Sequence, residues 1–179
     1  MKETMLLDEA GVASAVGRVV ESIAGQGRDL PLVLVGIHTR GVPVARRVAA
    51  ALGNAVAGIG TLDISLYRDD LDSRGTLPVL RGSDIPAPVD GARVVLCDDV
   101  LFTGRTIRAA LDGITALGRP ARVELAVLVD RGGRELPIQA DHVGHAVETN
   151  ASQRVRVRLS ETDEGDCVML YEVGPEGDS

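Results

Sequence analysis

Three largely apolar runs of strand length dominate the hydrophobic pattern of this chain. They are LVLVGI at residues 32–37, VVLC at 94–97 and VELAVLV at 123–129. Runs without regular polar alternation are typical of strands that are buried on both faces of a parallel sheet. Between them, apolar residues recur at helical spacing. The pattern predicts an α/β fold with a mainly parallel, twisted sheet and helices on both of its faces.

The predicted helices cover residues 8–24, 43–52 and 106–117, and the last two end at Gly53 and Gly118. Glycine directly after a periodic run is a common helix stop.

Shorter apolar runs predict a strand at 57–67 and three more at 142–144, 155–159 and 167–172. The last two of these are expected to form a hairpin.

Residues 68–90 form a polar segment without helical or strand period. A connection of this length inside a small domain favours a functional lid or a flexible hairpin. With 179 residues in the chain, we expect a single domain, 1–179, that contains this segment.

Charge is distributed unevenly along the chain. Seven of the 26 acidic residues lie between Ser160 and Ser179, where no base occurs, so 19 acids meet 19 bases elsewhere. Lys2 is the only lysine, and we expect it to lie in a frayed terminus. Sites that depend on lysine, such as a Walker phosphate loop or a pyridoxal-phosphate Schiff base, are therefore excluded.

Composition also narrows the partners and the location. Aromatic residues make up only 2% of the chain, which argues against a platform of stacked aromatics for single-stranded nucleic acid. The chain has no apolar run as long as a membrane span and no signal-peptide core at its N-terminus. We expect a cytoplasmic protein that does not enter the membrane.

Three of the predicted strands are each followed by a polar turn that contains glycine, at residues 38–41, 98–106 and 130–132. In an open parallel sheet, ligands bind outside the carboxyl ends of the strands. The three turns are therefore expected to converge on one site.

Within the central turn, two interpretations are open for each half. Asp98 and Asp99 either solvate a loop or accept hydrogen bonds from the two hydroxyls of a ribose and attract Mg²⁺. Thr103 to Thr106 either cap the next helix or cradle a phosphate, because Gly104 permits a left-handed turn with inward N–H groups.

The stretch VVLCDDVLFTGRT at 94–106 looks like the phosphoribosyl-pyrophosphate (PRPP) motif of type I phosphoribosyltransferases. The runs GIHTRGVPVA, LDISLYRDDL and AVLVDRGGRELPIQAD further resemble the family of bifunctional pyrimidine operon regulators and uracil phosphoribosyltransferases. The resemblance extends from Leu7 to Tyr171. It departs from the family pattern at Gly133, where the family has a histidine.

The resemblance implies a uracil phosphoribosyltransferase that forms UMP and pyrophosphate from uracil and PRPP with Mg²⁺, in a homo-oligomer. It implies catalytic roles for Asp98, Asp99, Arg40 and Arg68, the last closing over the pyrophosphate. The residues that it implies for PRPP and nucleotide binding are Thr39, Arg40, Asp98, Asp99, Val100, Leu101, Phe102, Thr103, Gly104, Arg105 and Thr106. Asp130 and Arg131 would belong to a hood over the base at 130–150, with Asp130 reaching the metal through water.

The resemblance also implies UMP-dependent binding to the leader of pyrimidine operon mRNA. The alternative function is accordingly a uridine-nucleotide sensor that binds RNA and has weak or no transferase activity. Arg18 on the first helix, with Arg154 and Arg156 on one face of a strand, could contact RNA phosphates. The competing interpretation pairs the arginines at 154, 156 and 158 with Glu161, Asp163 and Glu164 across the hairpin.

Overall fold

The computed structural model describes residues 2–27, 29–64 and 83–172. The strands and helices are, in chain order, β1 (Lys2–Leu7), α1 (Glu9–Ala24), β2 (Leu32–Ile37), α2 (Gly41–Leu52), β3 (Val56–Leu62), β4 (Arg93–Leu101), α3 (Arg105–Leu117), β5 (Arg122–Asp130), β6 (His142–Ala146), β7 (Gln153–Arg158) and β8 (Cys167–Glu172). Arg68 and most of the predicted lid segment lie outside the described residues. None of the described helices is long and apolar enough to cross a membrane.

A five-stranded sheet with the order β3-β2-β4-β5-β6 forms the centre, and all of its neighbouring strands are parallel. The chain moves from β2 outward to β3 and then returns to the other side of β2 with β4. The direction of winding therefore reverses between β2 and β4, and such a switch point opens a crevice at the carboxyl ends of the two strands.

Both faces of this sheet are buried, as the apolar runs predict. Leu34 of β2 and Val95 of β4 pack on one face with the apolar sides of α1 and α2. Val33 of β2 and Val94 of β4 pack on the opposite face, against α3. The α/β prediction with helices on both faces is confirmed.

A second, antiparallel sheet has the order β1-β8-β7. Its hairpin, β7 and β8, was predicted, but β1 was not. Lys2 lies in β1 opposite Glu172, so the expectation of a frayed terminus at Lys2 is wrong. The run from Lys2 to Leu7 lacks clear alternation, and it is a strand because β8 offers it an edge.

A buried polar network, which the hydrophobic pattern does not reveal, joins three strands to α1. Glu124 on β5 is 2% exposed and accepts from Arg93 on β4 at 2.9 and 2.7 Å. His142 on β6, which is 0% exposed, lies 2.7 Å from both Glu124 and Ser22 on α1. Burial works to raise the pKa of Glu124, but hydrogen bonds from Arg93 and His142 outweigh it and lower that pKa. These groups are satisfied together and fix the register of the elements that carry them.

Strand β4 is longer than predicted, and this changes the setting of the paired acids. The ladder between β2 and β4 ends at Gly36 and Cys97, whereas β4 continues beside β5 to Leu101. Asp98 and Asp99 therefore lie inside β4 rather than in the turn after it. They occupy an extension that is paired on one side only, and its other side faces the turn after β2.

That turn lies directly against β4. A side chain at Gly41 would overlap the carbonyl oxygen of Cys97 and would lie 3.1 Å from the Cα of Asp98. Only glycine permits this approach, and α2 begins at Gly41, earlier than the predicted start at Pro43. The contact brings the turn at 38–40 beside the two acids.

We expect Gly41→Ala to lower the free energy of unfolding by about 1–3 kcal/mol, because the added methyl group overpacks a backbone contact. Gly17→Ala in α1 is the matched control, since nothing lies within 4 Å of a Cβ there. The free energy of unfolding of the control should rise by about 0.5–1 kcal/mol, because alanine has a higher helix propensity than glycine. Urea denaturation of both variants measures the difference, and equal stabilisation by the two substitutions would contradict the contact.

Candidate functional site

A pocket of about 250 Å³ opens at the switch point. Its lining residues are Asp98, Val100, Leu101, Phe102, Thr103, Gly104, Thr106, Ile107, Arg131 and Val155. The end of β4, the start of α3, the turn after β5 and one residue of the small sheet therefore meet here. Two of the three predicted turns, at 98–106 and 130–132, contribute to the pocket lining.

The turn between β4 and α3 has the geometry of a phosphate cradle. Gly104 adopts a left-handed conformation with φ 91°, and no side chain caps α3. The Thr103 hydroxyl accepts from the Arg105 N–H at 3.3 Å, while the Thr106 side chain lines the pocket. Helix N–H groups and two hydroxyls at one turn favour an anion.

The Arg105 side chain does not face this cradle. Its Nε donates to Glu135 at 2.7 Å, and both side chains of the pair are largely exposed, 70% and 51%. The contribution of Arg105 to the turn is thus its backbone.

Asp98 and Asp99 bind neighbouring backbone groups with one oxygen each. Asp98 accepts from the Asp99 N–H at 2.9 Å, and Asp99 accepts from the Val100 N–H at 2.9 Å. Burial raises the pKa of Asp99, against the opposing effects of its hydrogen bond with Asp98 and the charge of Arg40. A buried carboxylate has lost hydrogen bonds to water, so it is stabilised when hydroxyl groups of a ligand donate hydrogen bonds in their place.

The turn after β2 contains Thr39, which is exposed, and Arg40, which is half-buried. The guanidinium of Arg40 binds Asp163 at 2.8 Å and the carbonyl of Val157 at 2.5 Å. Arg40 is thus anchored to the small sheet, although its charge acts on Asp99. Its predicted contact with pyrophosphate stays a prediction.

Arg131, in the predicted hood, lies beside residues 101–106, the turn predicted to hold phosphate and called the phosphate turn below. Its guanidinium stacks 3.9 Å from the centroid of the Phe102 ring and donates to Thr149 at 2.9 Å and to the Gln153 carbonyl at 2.7 Å. A Cβ at Gly133 would lie 2.5 Å from the same ring. Phe102 is therefore held between Arg131 and the backbone of the hood turn.

Asp130 does not face the pocket as a metal ligand would. One carboxylate oxygen accepts from the Gly132 N–H at 3.0 Å, and the other binds Arg134 at 2.5 Å. Among the described residues, no group of three or more His, Cys, Asp or Glu side chains could hold a metal ion. This donor set fits Mg²⁺ only if substrate phosphates supply most of its ligands, which is how Mg²⁺ is commonly bound.

Arg134 is a residue of the site that the sequence analysis missed. It donates to the carbonyls of Phe102 at 3.0 Å and Ile138 at 2.8 Å as well as to Asp130. It thereby ties the hood turn to the phosphate turn. The signal in the sequence for this role was that Arg134 follows Asp130, an acid at a strand end, by four residues.

The arginines predicted to meet RNA have different surroundings. Arg18 donates through Nε to the Gly144 carbonyl at 2.5 Å, whereas Arg154 and Arg156 are exposed. The acidic turn, residues 160–166, does not pair with them, because Asp163 binds Arg40 and Glu161 binds Arg47. The predicted pairing of the β7 arginines with Glu161 and Asp163 is wrong.

A larger cavity of about 750 Å³ lies at the opposite end of the sheet, between the C-terminal ends of α1 and α2. Its lining is mostly apolar, and its one arginine, Arg93, is already neutralised by Glu124. The smaller pocket at the switch point is therefore the candidate site, since its lining includes Asp98, Arg131 and the turn at Gly104.

The fold and this pocket are those of a phosphoribosyl transferase, and residues 3–161 match the family model described as a phosphoribosyl transferase domain. A hypoxanthine-guanine phosphoribosyltransferase from Bacillus anthracis superposes with a TM-score of 0.70 at 17% identity, covering 97% of this chain and 100% of the other. The hypoxanthine phosphoribosyltransferase of Trypanosoma cruzi gives a TM-score of 0.68 at 21% identity, covering 96% and 97%. At these identities the likeness shows the fold.

Within that class, the chain belongs to the PyrR family. It is 52% identical to the bifunctional protein PyrR of Chloroflexus aurantiacus over 172 residues, which cover 94% of each chain. It is 45% identical to that of Bacillus cereus over 177 residues, which cover 96% and 98%. The family and the type I phosphoribosyltransferase fold predicted from the sequence motifs are confirmed.

We expect Arg134→Ala to loosen the hood turn, because the substitution removes the ties to Phe102 and Ile138 and leaves Asp130 without its cation. The free energy of unfolding should fall by about 1–3 kcal/mol. Amide hydrogen exchange should accelerate at residues 131–138 and stay unchanged in β2.

The matched control is Arg105→Ala, which breaks an exposed ion pair between the same two turns and should cost less than about 1 kcal/mol. Equal acceleration of exchange in both variants would contradict the role of Arg134.

Proposed function

We propose that the protein is a uracil phosphoribosyltransferase, which forms UMP and pyrophosphate from uracil and PRPP. The observation that carries the proposal is the pocket in which the left-handed turn at Gly104 lies together with Asp98, which Asp99 follows in β4. An anion cradle beside two carboxylates suits a ribose that carries a 5′-phosphate. The PyrR relatives and the transferase family model support the same reaction class.

In this reaction, N1 of uracil forms a bond to the anomeric carbon while the bond from that carbon to pyrophosphate breaks, and the N1 proton is released. Negative charge develops on the leaving pyrophosphate, so fixed positive groups lower the barrier. Arg40 supplies such a charge beside Asp99. Arg68, outside the described residues, is proposed to supply a second one.

The remaining groups bind and orient the substrates. Asp98 and Asp99 accept hydrogen bonds from the ribose hydroxyls, and the turn from Leu101 to Thr106 holds the 5′-phosphate. Arg131, fixed by Phe102 and Thr149, borders the space for the base. These contacts place the reacting atoms, which is the main requirement of a displacement that uses no covalent nucleophile of the protein.

Mg²⁺ is the proposed cofactor. The residues present fit an ion that is held chiefly by substrate phosphates, with Asp98 and Asp99 as the carboxylates of the site. When bound, the ion would supply countercharge to the pyrophosphate.

A transferase assay with a panel of nucleobases tests the proposal. Wild-type protein with PRPP and Mg²⁺ should convert uracil to UMP in preference to the purine bases and cytosine. The double variant Asp98→Asn with Asp99→Asn should lose at least about 100-fold in kcat/KM, because two charged acceptors for the ribose hydroxyls are lost. Wild-type turnover in that variant, with an unchanged fold by circular dichroism, would remove the assignment of the acids to ribose.

RNA binding is the second candidate function. The exposed arginines at 154 and 156 favour it, since the acidic turn binds Arg40 and Arg47 instead. The relatives carry the name bifunctional protein, which supports a second activity beside catalysis. An alternating arginine face can bind phosphates. UMP bound in the pocket would lie next to this face, since Val155, between the two arginines, lines the pocket. Burial lowers the pKa of Arg131, and the charge of Arg154 lowers it further.

A gel-shift titration against a pyrimidine operon leader RNA, with and without UMP, checks this function. Wild-type protein should bind more tightly with UMP, and Arg154→Ala with Arg156→Ala should weaken binding at least about tenfold and reduce its salt dependence. Arg119→Ala, on the opposite side of the central sheet, is the control. An RNA affinity that is the same with and without UMP, or that is unchanged by the double substitution, would exclude this surface as the UMP-dependent RNA-binding site.

The homo-oligomer expected from the sequence stays a prediction.

A further inference from the structure

The acidic turn is bound to α2 through two arginines. Arg40 precedes the helix and Arg47 lies seven residues later on the same face. Arg47 binds Glu161 and Asp166, while Arg40 binds Asp163. The turn that concentrates acid in the sequence is therefore an anchor for the helix that follows the pyrophosphate-binding turn.

Arg40 is held by one edge of its guanidinium. NH1 donates to Asp163 Oδ2 at 2.8 Å and to the Val157 carbonyl at 2.5 Å, and NH2 donates to Asp163 Oδ1 at 3.3 Å. A guanidinium carries five N–H donors, so these bonds do not use Nε–H or the second hydrogen of NH2. The side chain is 26% exposed, and two of its N–H donors are left for a ligand.

Asp163 is also held in place by hydrogen bonds from groups other than Arg40. Its carboxylate accepts from the Leu159 N–H at 3.1 Å and from the Thr162 hydroxyl at 2.9 Å. Burial acts to raise the pKa of Asp163, but hydrogen bonds from Arg40, Leu159 and Thr162 lower it to about 2. The carboxylate is therefore an anion at neutral pH, and these hydrogen bonds set its position.

We propose that Asp163 is a positioning residue for PRPP binding: it holds Arg40 by one edge so that the other edge receives the pyrophosphate group. The inference rests on the proposed transferase function and deepens it. The charge of Arg40 already acts on Asp99, which places the guanidinium within electrostatic range of the ribose-binding acids. An arginine oriented in advance loses less side-chain entropy when it binds, and this raises affinity.

The test compares Asp163→Asn with Asp166→Asn, a control in the same turn that binds Arg47 instead of Arg40. Calorimetric titrations with PRPP, pyrophosphate and UMP, each with Mg²⁺, are run on wild type and both variants. Asp163→Asn should weaken PRPP and pyrophosphate about tenfold and change UMP affinity less than about twofold, because UMP has no pyrophosphate. Asp166→Asn should leave all three within about twofold, and Asp163→Glu should recover part of the loss.

In the transferase assay, Asp163→Asn should raise KM for PRPP while kcat is largely retained. A thermal melt of each variant separates loss of fold from loss of positioning. The inference is overturned if Asp163→Asn binds PRPP as tightly as wild type or more tightly, the latter showing that Asp163 withholds Arg40 from the ligand. It is also overturned if PRPP and UMP weaken together, or if Asp166→Asn behaves like Asp163→Asn.

Failure of the proposed function gives a different result. Wild-type protein that binds PRPP and forms no UMP would refute the transferase but leave the comparison of Asp163 with Asp166 intact. Wild-type protein that binds neither PRPP nor pyrophosphate would refute both.

Discussion

The turn after β2 lies so close to β4 that no side chain fits at Gly41, and the placement of Thr39 and Arg40 near the paired acids depends on this approach. If Gly41 carried a Cβ, the turn would have to move away from the Cys97 carbonyl. Thr39 and Arg40 would then move away from the end of β4, which pairs with β5 only and carries Asp98 and Asp99. Two strands that are adjacent in the sheet thus bring the residues proposed to bind substrate close together, because their backbones touch.

Among the described residues, arginine makes most of the side-chain connections between elements, as expected for a chain with a single lysine. Arg93 ties β4 to β5 inside the core, Arg134 ties the hood to the phosphate turn, and Arg40 and Arg47 tie α2 to the small sheet. The planar guanidinium binds a carboxylate and a carbonyl at once, so one side chain can join three segments. Such contacts define position more than they add stability, because desolvation offsets much of the attraction.

The small antiparallel sheet consequently takes part in the site, although it lies outside the central sheet. Val155 lines the pocket, the Val157 carbonyl holds Arg40, and the Gln153 carbonyl holds Arg131. Three of the seven acids near the C-terminus, Glu161, Asp163 and Asp166, are therefore local partners of Arg40 and Arg47. Acids and bases that are far apart in the sequence meet in space.

The hydrophobic pattern by itself determined the central sheet, its helices and the hairpin, because residues buried on both faces cannot alternate with polar ones. The position of Gly104 shortly after the paired acids also predicted the left-handed turn before α3, which depends only on residues close together in the chain. Only the tertiary structure decided that Lys2 belongs to a strand, that Arg134 closes the hood and that Asp163 binds Arg40. These contacts join residues far apart in the chain, and no local periodicity records which partner a strand edge or an arginine will meet.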